Sequence, residues 1–99
     1  MSPLTAQADV PTAEASKYLQ QLCKHFQHKV PAQFDERAGT LDFQDGRATL
    51  KAENDLLKMK LEARDLSGLK SLEDVVARHL ERFAFRERLE IVWTEADPA

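Results

Sequence analysis

His79, Arg82 and Arg86 follow one another at spacings of three and four residues. On a helix that spacing places them along one stripe. A guanidinium fork matches the oxygens of a carboxylate or phosphate, and an imidazole beside it exchanges protons near neutral pH. The chemistry this pattern points to is recognition of a small anion at the end of a helix. A competing reading makes His79 a hydrogen-bonded residue at the border of the core and pairs Arg82 and Arg86 with Glu81, Glu87 or Asp35. If the chain is an enzyme, His79 is the acid or base, and Arg82 or Arg86 holds a carboxylate-bearing substrate.

A second grouping is Cys23-Lys-His25-Phe-Gln-His28. Thiolate and imidazole suit zinc or iron, and His25 and His28, three residues apart, share a helical face. Cys23 falls with Leu19, Leu22 and Phe26, about 160° round the helix from His25. One helix therefore does not present all three to one ion, and His25 and His28 remain as candidate metal ligands. The alternative buries Cys23 as a small apolar residue and leaves Lys24, His25, His28 and Lys29 as positive charge at a helix C-terminus. No cofactor is required by the sequence; zinc or iron is the class these histidines would take.

Equipment for covalent catalysis is sparse. Ser71 is explained by helix capping, and no Gly-x-Ser-x-Gly elbow is present. Gly39, Gly46 and Gly68 lie too far apart to form a phosphate-cradling or dinucleotide loop. The acidic residues scatter over positions expected to be exposed, so no catalytic carboxylate pair is assigned.

Elements must hold these side chains, and the chain's apolar pattern supplies them. Leu4 to Val10 alternates apolar and polar residues, the mark of a half-buried strand. After Pro11, with Thr12 as the expected N-cap, Ala15, Leu19, Leu22, Cys23 and Phe26 recur at helical spacing. That helix must stop near Lys29, because Pro31 cannot continue it. From Val30 to Ala63 the period drops to two, with turns expected at Asp45-Gly46 and Asn54-Asp55. The outward face carries Asp42, Gln44, Thr49, Lys51, Lys58, Lys60 and Glu62, so one side of this antiparallel meander is wet. Leu69, Leu72, Val76, Leu80 and Phe83 mark a second helix from about Ser67 to Ala84, starting at Ser67 or at Ser71. Leu89, Ile91 and Trp93 alternate as a last strand, and a polar tail runs from Glu95 to Ala99. The expectation is an α+β two-layer sandwich of order β-α-β-β-β-(β)-α-β. Two helices cover one face of a mainly antiparallel sheet of about five strands. Ninety-nine residues suit a single domain, with an ordered core over about 4–95.

Composition narrows the partners. A net charge of −3, with basic residues dispersed among acids, argues against nucleic acid, whose binding requires phosphate neutralisation. No apolar run approaches the ~20 residues of a membrane helix. The first dozen residues lack a basic start and apolar middle, and the single cysteine fits a reducing compartment, so a cytoplasmic location is expected. The polar sheet face leaves a monomer or an edge-paired dimer as the expected state.

Two stretches carry a resemblance. Tyr18-Leu-Gln-Gln-Leu-Cys-Lys-His-Phe-Gln-His-Lys29, followed by Pro31 and Phe34-Asp35, resembles the start of the bacterial domain of unknown function family 2218. Leu72-Glu-Asp-Val-Val-Ala-Arg-His-Leu-Glu-Arg-Phe-Ala-Phe-Arg-Glu87, ending in Trp93, resembles its C-terminal half. The resemblance implies a fold similar to the C-terminal domain of phosphohexomutases, without that domain's phosphate loop. It implies no activity, although some members bear an aldolase label for dihydroxyheptenedioate and others lie near siderophore and iron-uptake genes. The expected role is a non-catalytic binding or accessory module for a small anion or a protein partner, linked to iron uptake. An enzyme using His79 and a metal-binding protein are the alternatives.

Overall fold

The computed structural model describes residues 4–96. Eight elements follow one another: β1 (Leu4–Pro11), α1 (Ala15–Phe26), β2 (Ala32–Phe34), β3 (Ala38–Phe43), β4 (Gly46–Glu53), β5 (Leu56–Ala63), α2 (Leu66–Phe83) and β6 (Thr94–Ala96). The six strands form one antiparallel sheet in the order β2-β3-β4-β5-β1-β6. The architecture is α+β, an open sheet with two helices, as the alternation of periods required.

Inward residues of the meander and of β1 (Ala6, Ala8, Val10, Leu41, Ala48, Leu50, Leu57, Met59, Leu61 and Ala63) join the apolar stripes of both helices in one core. Each fully buried leucine there contributes roughly 1.5–3 kcal/mol by leaving water. The other sheet face is polar and ion-paired, with Arg47 Nε 2.6 Å from Asp42 Oδ1 and Lys58 Nζ 2.8 Å from Glu53 Oε1. Two tight turns set the register. Asn54 and Asp55 both take positive φ, 50° and 58°, the backbone of the primed turn that matches strand twist. The β3–β4 turn is Gln44-Asp45, one residue earlier than expected, and Gly46 opens β4 opposite Phe43. Gly46 is required by proximity: a Cβ there would stand 1.9 Å from the Glu62 carbonyl oxygen.

Helix boundaries also differ in detail. Thr12 is not the N-cap of α1; Glu14 holds that position without a side-chain cap. Thr12 instead accepts from the Glu14 N–H at 3.1 Å and donates to Glu87 Oε2 at 3.2 Å. The helix ends at Phe26, three residues before Lys29, because the Phe26 carbonyl is closed off by the N–H groups of Lys29 and Val30. Helix α2 starts at neither serine. Asp65 caps it, its Oδ1 accepting from Gly68 N–H at 2.7 Å.

The last strand is displaced from its expected position. Leu89, Ile91 and Trp93 pack half-buried against the core without joining a ladder, and the strand is Thr94–Ala96. Thr94, Glu95 and Ala96 pair with Gln7, Ala6 and Thr5 of β1, which makes the sheet six-stranded. The polar tail expected from Glu95 is therefore strand as far as Ala96, and its remainder, 97–99, lies outside the described residues.

Candidate functional site

Helices α1 and α2 bring the two sequence groupings together through one histidine from each. The His25 and His79 ring centroids lie 4.9 Å apart at an interplanar angle of 44°. Phe26 packs against both, 5.0 Å from His25 and 4.7 Å from His79, and Phe43 of β3 backs Phe26 at 5.1 Å. Phe83 closes the far side of His25 at 5.8 Å. The pair thus sits on an aromatic floor supplied by both helices and the sheet.

Hydrogen bonding distinguishes the two rings. His79 Nδ1 is 2.7 Å from the Val75 carbonyl oxygen. A carbonyl only accepts, so Nδ1 carries the hydrogen and Nε2 holds a lone pair in the neutral ring. His25 Nε2 is buried without a hydrogen-bond partner. Burial holds the His25 pKa below its usual 6.5, and His79, Lys29, Arg82 and His28 push in the same direction. Each of those neighbours is basic, and among the described residues no carboxylate offsets them. His25 is therefore expected to titrate below pH 6.5, read from its imidazole proton shifts by NMR. A midpoint at or above 6.5 contradicts this electropositive setting.

The other expected residues divide between the site and solvent. Arg82 lies in the last turn of α2 and is exposed. Arg86 lies beyond the helix, which ends at Phe83, so helical spacing no longer aligns it with His79. Its guanidinium sits 5.4 Å from the Phe85 ring centroid, and that ring is exposed. Among the described residues neither arginine pairs with Glu81, Glu87 or Asp35. Glu87 is engaged by the Tyr18 hydroxyl at 2.6 Å, and Asp35 accepts from the Arg37 and Ala38 N–H groups of its own loop. His28 is exposed in the turn after α1, whereas Cys23 is buried and its thiol is pushed up to about 11 by that burial. Among the described residues no three His, Cys, Asp or Glu side chains gather as metal ligands.

One group went unassigned in the sequence. Glu73 is buried on α2, not exposed as its acidity suggested, and Glu95 of β6 lies beside it. Lys70 Nζ holds Glu95 Oε2 at 2.7 Å. The Glu73 carboxyl is pushed up to about 7, by burial first and then by Glu95. The clue was positional: Glu73 falls four residues after Leu69 and three before Val76, on the stripe that packs inward.

Comparison with known proteins gives a family without an activity. No curated protein matches this chain. The NMR structure of PA4090 from Pseudomonas aeruginosa is similar, at 36% identity and a TM-score of 0.73, covering 95% of this chain and 96% of that one. The family model described as an uncharacterized protein conserved in bacteria (DUF2218) matches residues 7–94. Sequence match and shared fold extend through both histidine helices and the whole meander, and the chain belongs to the DUF2218 family.

Proposed function

We propose that the domain is a binding module for a small anion, a phosphate or a carboxylate, held at the paired histidines. The observation that supports this reading is the set of basic groups acting on His25: His79, Lys29, Arg82 and His28, with no acid among them. Such a setting repels a metal cation and attracts an anion. Arg82 supplies the charge-assisted contact, and His25, kept neutral in the free site, gains a proton as the anion arrives. Arg86, which sits over the exposed Phe85 ring beyond the helix, is left outside this set. A citrate-like polycarboxylate fits a role beside iron uptake in the cytoplasm, and a protein partner presenting a carboxylate would use the same groups.

The test is an amide-correlation NMR titration with inorganic phosphate, citrate and zinc. Phosphate or citrate is expected to move resonances at His25, His79 and Arg82, more strongly at pH 6 than at pH 8. Arg82→Ala is expected to weaken that binding about tenfold, the loss of one charge-assisted hydrogen bond. Flat spectra with both anions reject the proposal, and saturation by zinc at His25 and His28 favours the metal alternative.

A catalytic reading has one observation of its own. The Val75 carbonyl fixes His79 Nδ1–H and leaves Nε2 basic, as a general base requires. On that reading His79→Ala abolishes turnover of a carboxylate substrate while the amide spectrum stays native; unchanged turnover eliminates it.

A further inference from the structure

Away from the histidines, a groove of about 460 Å³ runs between α2 and the returning segment that leads to β6. Lys70, Glu73, Asp74 and Glu81 line its helix side, and Leu89, Ile91 and Trp93 its opposite wall. Glu73 is 9% exposed, and its Oε2 has no hydrogen-bond partner. Lys70 is committed to Glu95 at 2.7 Å, and Arg78 to Asp74 at 3.0 Å. Among the described residues neither Glu73 nor Glu81 forms an ion pair of its own, and the ammonium nearest Glu73, that of Lys70, is held by Glu95. The groove combines a buried carboxyl, one of whose oxygens has no hydrogen-bond partner, with an apolar wall that includes the chain's one tryptophan.

That combination selects a ligand class. A phosphate or carboxylate meets like charge here. A bare divalent ion finds half of its surroundings apolar, where hard cations demand oxygen. An organic ammonium answers both halves: its N–H groups reach the carboxyls, and its alkyl or aromatic body lies along Leu89, Ile91 and Trp93. The tryptophan ring adds cation–π attraction. We propose that this groove is a binding site for a small primary amine, with Glu73 as its carboxyl partner and Trp93 as its aromatic wall.

Proton linkage follows from the same geometry. Lys70 and Glu95 are the charges acting on Glu73, while Glu90 of the returning segment is exposed. With Glu73 titrating at about 7, the unliganded groove holds a proton where the ammonium must bind. Amine uptake releases that proton, so affinity rises about tenfold between pH 6 and pH 8, as the ionised fraction of Glu73 does. The amine itself stays protonated, with a pKa near ~10.4.

The experiment titrates the full chain with n-butylamine and with phenethylamine at pH 6 and pH 8, following Trp93 fluorescence and amide shifts. The expected result is saturable change centred on Glu73 and Trp93, with a dissociation constant about tenfold smaller at pH 8. Glu73→Gln is expected to keep the native amide spectrum and to lose at least tenfold in affinity together with the pH dependence. If that variant does not fold, the two-pH comparison on the native chain decides. No saturation by either amine, equal affinity at both pH values, shifts centred elsewhere, or undiminished binding by a folded Glu73→Gln each overturns the proposal.

Discussion

Gly46→Ala is expected to remove about 4 kcal/mol or more of stability, a large share of the roughly 5–15 kcal/mol that holds a domain together. The added methyl would lie 1.9 Å from the Glu62 carbonyl oxygen and 3.0 Å from the Ala63 Cα. Both are backbone atoms of the neighbouring strand, so no rotamer relieves the clash and β4 must separate from β5. Gly68 is the natural control. A Cβ there meets Asp65 Oδ1 at 3.2 Å and Asp45 at 3.4 Å, and alanine favours the helix, so Gly68→Ala is expected within about 1 kcal/mol of native. Denaturant unfolding of both variants decides. A Gly46→Ala protein within about 1 kcal/mol of native shows that the strands do not approach so closely. The loss also reaches the candidate anion site, because the β3–β4 hairpin carries Phe43, which backs Phe26 under the histidines.

Glu73→Gln is expected to stabilise the protein above neutral pH, by as much as about 3 kcal/mol at pH 8. The sign follows from the carboxyl held near 7 in the fold against its ordinary 4.5. Below 4.5 both folded and unfolded chains keep the proton, and the neutral carboxyl contributes its full stability. As pH climbs from 4.5 to 7 the unfolded chain releases the proton first, so the folded state loses ground. Above 7 the loss is complete, and a buried carboxylate remains next to Glu95. Glutamine keeps the shape without the titration, so its stability curve omits that decline. His25 acts in the opposite sense: kept neutral in the fold, it weakens the native state as pH falls below 6.5. Glu95, held low by its hydrogen bonds to Glu73 and Lys70, adds a loss at more acidic pH. Comparing the native chain with Glu73→Gln from pH 4.5 to 8 cancels the His25 contribution. Parallel curves refute the buried-carboxyl account.

The meander was legible because its period is two and its turns use residues suited to tight connections. Every inward position from Leu41 to Ala63 reads directly as a core position. Local alternation misled at Leu89, Ile91 and Trp93, where one apolar face packs on the core although the backbone has no strand neighbour. Thr94–Ala96 forms the ladder instead, and its polar composition carries no strand signal; its partner is nearly ninety residues away in β1. The site was half legible for the same reason. His25 and His79 were each singled out, but helical spacing assigns partners within one helix, so His25 was matched to His28 and His79 to Arg82 and Arg86. The ring-to-ring contact depends on how α1 and α2 cross, which no spacing encodes. Glu73 was missed because acidity was weighed above its place on the inward stripe.

The position of β1 between β5 and β6 sets the order in which the sheet can be assembled. Strands β3, β4 and β5 connect through two-residue turns, and such hairpins form in roughly 1–10 μs. Strand β1, first to be synthesised, has no sheet neighbour until residues 56–63 exist, and its other edge waits for 94–96. Its docking must close a loop that contains α1 and the entire meander, a costly long-range step. A nascent chain released before residue 56 therefore leaves β1 without its antiparallel partner, with Ala6, Ala8 and Val10 uncovered. Folding of this domain is expected to be limited by the return of its own beginning, and substitutions within β1 should slow folding more than they speed unfolding.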